Sequence, residues 1–84
     1  MGHNQSRPGP VGFRLAQQIA SLRVIRGWSR AELSELTSRY GRPLEVQTLG
    51  CIERGTRKID VDDLHVLACA FNMTASALLR RAMR

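Results

Sequence analysis

The chain has almost no lysine. Of its 13 Lys+Arg residues only Lys58 is not arginine, so its positive charge is forked and planar, a shape suited to carboxylates and phosphates. Cysteine is just as scarce. Cys51 and Cys69 cannot build a disulfide framework, and His3 and His65 stand too far apart to complete a zinc site with them. That excludes a stapled scaffold and leaves no metal to expect. No apolar run approaches the roughly 18 residues of a membrane helix. The opening MGHNQSRPGP also lacks the apolar centre of a signal peptide. The expectation is a cytoplasmic protein of a reducing compartment, with no membrane and no cofactor. No nucleophile–base pair or paired carboxylates converge, so no catalytic residues and no enzyme are expected.

What remains is short, basic and helical in pattern. Eighty-four residues make one domain with a small core. A net charge of +6 points to nucleic acid ahead of anionic membranes or acidic proteins. Residues 1–10 have nothing to bury and are expected to form a flexible tail, leaving 11–84 as the domain. Phe13, Ala16, Ile19, Ala20 and Leu22 share one helical face, which Gly27 ends. Ser29 with Glu32 makes a capping box for a second helix, carrying Leu33 and Leu36 and stopping near Gly41 and Pro43. A third helix follows and ends at Gly55. Asp60 caps a fourth, with Asp62 and Asp63 in its first turn and Leu64, Leu67, Ala68 and Phe71 on its buried face. Asn72 breaks it, and Thr74 caps a fifth that carries Ala75, Leu78 and Leu79. The fold class is all-α, a bundle of five short helices with no strands.

The third helix, within LEVQTLGCIERG, is divided. Leu49 and Ile52 are apolar, whereas Gln47, Gly50, Cys51 and Arg54 fall on another face. A second helix joined to it through a turn containing Gly41 has the form of a helix-turn-helix, whose second member enters the DNA major groove by its N-terminal residues. The arginines nearby, Arg39 and Arg42 on the turn with Arg54, Arg57 and Lys58 at the end of the third helix, form a candidate phosphate-facing rim.

These residues resemble a known family. RGWSRAELSELTSRYGRPLEVQTLGCIERGTRKIDVDDLHVLACAFNMTASALL is similar to the Cro and lambda-repressor type of helix-turn-helix regulators, also called the xenobiotic-response-element family. The similarity covers about Val11 to Leu79 and lies mainly in GWSRAEL, IERG and DVDDLHVLACAFNMTASALL. It implies a five-helix fold binding operator DNA, often as a homodimer on an inverted repeat. It implies base reading by Val46, Gln47, Thr48 and Cys51. It places phosphate contacts near Ser29 and Arg30 and near Arg57 and Lys58, and it pairs Arg23 with Glu53. The chain departs from the pattern in its longer connection SRYGRP, in Glu45 at the N-cap of the third helix, and in a reading face with Val46, Gly50 and Cys51.

The function expected is a transcriptional regulator, a repressor acting by occlusion. The alternatives are an antitoxin that also grips a toxin protein, and a protein-interaction module that kept the fold without DNA binding. Several residues carry competing expectations. Gln47 reads adenine or faces solvent, and Gly50 permits close approach to DNA or reflects drift. Cys51 packs near a thymine methyl, with a redox role less favoured, and Cys69 belongs to the core. Trp28 staples helix two to helix one. Of Val24 and Ile25, one covers Trp28 and the other faces a partner, as could Leu78, Leu79 and Met83. Arg7 is a tail residue or a minor-groove arm, and Arg80, Arg81 and Arg84 form a solvated end.

Overall fold

Capping chemistry sets the helix boundaries. In the computed structural model, which describes residues 7–84, the helices are α1 (Pro10–Ile25), α2 (Arg30–Arg39), α3 (Val46–Arg54), α4 (Val61–Ala70) and α5 (Ala75–Ala82). There is no strand among the described residues, as the all-α expectation requires. The Ser29 hydroxyl accepts the Glu32 N–H at 3.0 Å while the Glu32 carboxylate accepts the Ser29 N–H at 2.7 Å. Asp60 and Asp63 make the same reciprocal box at α4. The Thr74 hydroxyl accepts the Ala77 N–H. At the other ends of α1 to α4 the chain turns through positive φ at Gly27, Gly41, Gly55 and Asn72, which stops those four helices.

The start of α1 differs from expectation. Pro10 already occupies the first turn, with Gly9 as N-cap, because its fixed φ suits that position and its missing N–H costs nothing there. The part of the expected tail in residues 1–6 lies outside the described residues.

The core is aliphatic. Ile19, Leu33, Leu49, Ile52, Leu67 and Leu78 are fully buried with one aromatic, Phe71. The helix α1 packs on α3 and α5, α2 packs on α3 and α4, and α4 packs on α5. Leu15 belongs to this core, but Phe13 does not. Its ring lies over the end of α3, where a β-carbon on Gly55 would meet it at 2.6 Å. No described helix is long and apolar enough to cross a membrane.

Candidate nucleic-acid interface

A buried hydroxyl holds the entry to α3. The Thr37 Oγ1 donates to the Ser34 carbonyl at 2.9 Å and accepts the Leu44 N–H at 3.0 Å, and Leu44 is itself buried. The six-residue connection is therefore pinned from α2 just before α3 begins. Leu49 and Ile52 then sink into the core, which turns Val46, Gln47 and Arg54 to the surface, with Thr48 and Cys51 half-buried beside them. No side chain caps α3 at Glu45, so the first N–H groups of the helix stay available to an outside acceptor.

Gly50 has a reason within the fold. The Arg54 guanidinium lies back over it, 3.0 Å from where a β-carbon would stand, and reaches 3.7 Å from the Cys51 sulfur. Because the obstacle is the tip of a flexible side chain, Gly50→Ala should displace Arg54 and stabilise α3 by about 0.5–1 kcal/mol. Urea unfolding would measure this, and destabilisation would show that the close approach is fixed.

Behind this face sits Glu53, whose side chain is 3% exposed. Arg23 holds it with two bonds, Nε to Oε2 at 2.7 Å and Nη2 to Oε1 at 3.1 Å. The expected pairing is present. Arg30 joins it from α2, with Nε to Oε1 at 3.0 Å, so three helices meet on one carboxylate. The hydrogen bond to Glu53 is the main reason the Arg23 guanidinium holds its proton more tightly than usual. Arg23→Ala should cost about 2 kcal/mol, below the ~3–5 kcal/mol of a stranded buried charge, because Arg30 remains. A thermal melt within about a degree of the parent would contradict this, since each kcal/mol moves such a domain by about 4–8 °C.

A second carboxylate went unforeseen in this role. Asp63 is fully buried and accepts from Arg42 Nε at 3.1 Å and from Arg57 Nη1 at 2.8 Å. Burial pushes its carboxyl up, but the bonds from Arg57, the Asp60 N–H and Arg42 outweigh this and hold it below the usual carboxylate range. The two arginines thereby converge beside Thr48, where Arg42, Arg57, Glu45 and Thr48 line one shallow depression at the N-terminal half of α3. The sequence places Arg57 beyond the far end of that helix. The spacing of Asp60 and Asp63 was a usable signal, because a reciprocal capping box fixes Asp63 toward the chain that enters α4.

Placement divides the candidate contacts. Val46, Gln47, Thr48, Cys51 and Arg54 lie together on α3, with Arg42 and Arg57 adjacent and Lys58 exposed in the following loop. Arg30 is anchored on Glu53, yet its side chain stays 38% exposed. Ser29 already uses its hydroxyl as a cap. Arg39 is not brought to this face. It lines a depression with Trp28, Glu32 and Leu36, on the flank of α2 opposite Arg30, since nine residues at about 3.6 per turn make two and a half turns.

Other expectations change as well. Trp28 is bonded to Arg23 of α1 at its N–H and its carbonyl, and its ring also stacks on Phe71, the C-cap of α4, with ring centroids 5.6 Å apart, so it ties the start of α2 to α1 and to α4. Neither Val24 nor Ile25 covers it, both being exposed. Arg26 lies over the Trp28 ring instead. Cys69 is half-buried rather than core, its sulfur 3.7 Å from the His65 Nε2. No group that could hold a metal occurs among the described residues. No protein-family model matches the chain, and no curated protein matches it.

Proposed function

We propose that the protein is a cytoplasmic regulator of transcription that binds duplex DNA as a homodimer, with α2 and α3 acting as a helix-turn-helix. The reading rests on one observation. Helix α3 turns an exposed side to the surface at its uncapped N-terminal end, and anchored guanidinium groups flank that end. A major groove about 12 Å wide admits such a helix. An arginine has five N–H donors, so one held by Asp63 or Glu53 through part of its fork keeps others for a phosphate. The internal carboxylates orient these donors in advance, which lowers the cost of ordering them on binding. The net charge of +6 draws the duplex in. In this reading Val46, Gln47, Thr48 and Cys51 approach the bases. Arg30, Arg42, Arg54, Arg57 and Lys58 approach phosphates.

Gln47 is the residue that would read sequence. Its amide matches the adenine N6 and N7 edge, a pairing worth roughly 1–3 kcal/mol of discrimination. Gln47→Ala should leave stability unchanged, weaken binding mainly to the preferred site, and flatten preference at one position per half-site. Selection of bound sites from random duplexes at fixed salt tests the whole reading, including half-site spacing. An unchanged preference in the variant would mean that α3 meets the groove in another register. Val46, 47% exposed, favours a second reading in which α3 grips a protein. Absence of any selected duplex would support it.

A further inference from the structure

A second cationic site lies away from α3, at the seam of α1 and α5. Arg14, Gln17, Gln18 and Ser21 follow one another at helical spacing along α1, and Arg81 of α5 with Arg84 just beyond it meet them across a polar cleft of about 250 Å³. No acidic side chain lines it. The segment MGHNQS, residues 1–6, carries none either. Arg81 is half-buried rather than part of a solvated end, and its Nε is buried without a hydrogen-bond partner among the described residues. The contrast with the other half of the molecule is sharp. There Arg23 and Arg30 share Glu53, and Arg42 and Arg57 share Asp63. A buried charged donor with no acceptor is unfavourable, and three like charges around one cleft add repulsion.

We propose that this cleft binds a small molecule through its phosphoryl group. Three guanidinium groups favour an anion with more than one negative charge, and their forks match the oxygens of a phosphate. The Gln17 and Gln18 amides and the Ser21 hydroxyl add neutral donors and acceptors for the remainder of the ligand. The cleft is open to the surface, lined by the exposed Arg14, Gln17, Ser21 and Arg84, so the organic part of a phosphate ester can extend out of it. Such a ligand bridges α1 and α5, binds only the folded chain, and so raises its melting temperature. None of the α3 surface residues lines the cleft, so ligand and duplex occupy separate surfaces, and the proposal stands whether or not α3 binds DNA.

The test is a titration of the full chain with adenosine monophosphate, followed by backbone amide shifts at constant ionic strength. Saturable shifts are expected along Arg14–Ser21 and Arg81–Arg84, with none from adenosine. Arg81→Gln and Arg14→Gln should each weaken binding roughly tenfold, and Arg54→Gln should leave it unchanged. Arg14 is an exposed α1 residue, so its variant carries the test if Arg81→Gln does not fold. Shifts that fail to saturate, that sodium chloride or adenosine reproduces, or that Arg54→Gln weakens equally would overturn the proposal. Displacement of the nucleotide from these amides by a short duplex would also overturn it, assigning the cleft to nucleic-acid phosphates.

Discussion

Replacing Arg42 and Arg57 together by Ala should cost about 3–5 kcal/mol of stability, a large share of what a domain of this size possesses. The reason is the unequal burial of the partners. The Asp63 side chain is fully buried, whereas those of Arg42 and Arg57 are 40% and 37% exposed. Loss of both arginines leaves the carboxylate with the Asp60 N–H as its one remaining donor among the described residues. Loss of the carboxylate frees two guanidinium groups that can rehydrate. Asp63→Ala alone should therefore cost less than the double variant, about 1–3 kcal/mol. Adding Asp63→Ala to the double variant should restore part of the loss, because it removes the stranded charge. Urea unfolding of the three proteins completes the cycle. A double variant within about 1 kcal/mol of the parent would refute the burial argument.

The same carboxylate contributes to the acid limit. Asp63 is held below its ordinary range when folded, whereas unfolded it titrates near about 3.9. The stability it adds is complete above that value and disappears as pH falls through the lower folded value. Asp63→Asn removes this titration, so the acid limb of its stability curve should be flatter than the parent's below about pH 4.

Local chemistry explains why the helix ends could be read from sequence. Ser29 with Glu32, Asp60, Thr74 and the turns at Gly27, Gly41 and Gly55 act on neighbours within a few residues. The pairings that the sequence does not announce depend on chain brought from elsewhere. Asp63 has an adequate local account in the helix dipole, and nothing near it in sequence points to Arg42, 21 residues earlier. Phe13 fits the apolar period of α1, but it sits on the first turn, where the end of α3 arrives and takes it as a cover. Trp28 finds Phe71 only because α4 returns to the start of α2. Arg39 and Arg42 stand three apart, yet α2 ends between them and the chain turns at Gly41, which sends them to different sides. Arg81 illustrates the reverse error. A basic chain end suggests solvation, whereas packing of α5 on α1 half-buries one of its arginines.

Binding to duplex DNA, if α3 enters the groove as proposed, should fall about a thousandfold between 50 and 200 mM salt. A dimer that neutralises about six phosphates releases the counterions condensed on them, giving a slope of log K against log salt near −5. Six is three per protomer, a number that Arg42, Arg57 and Lys58 can supply from one side of α3. Because Arg42 and Arg57 also hold Asp63, their single variants mix weaker binding with weaker folding. Lys58 has no such second task among the described residues. It is exposed and absent from every ion pair found there. Lys58→Ala should thus leave unfolding unchanged, weaken all duplexes nearly equally, and make the slope shallower by about one unit for each phosphate that is no longer neutralised. Arg39→Ala removes the same charge from the flank of α2 opposite Arg30, so its slope should match the parent's. Equal flattening of the slope in the two variants would show that net charge alone governs attraction, with no oriented face. A slope near zero for the parent would remove the phosphate contacts altogether and leave α3 as a surface for protein.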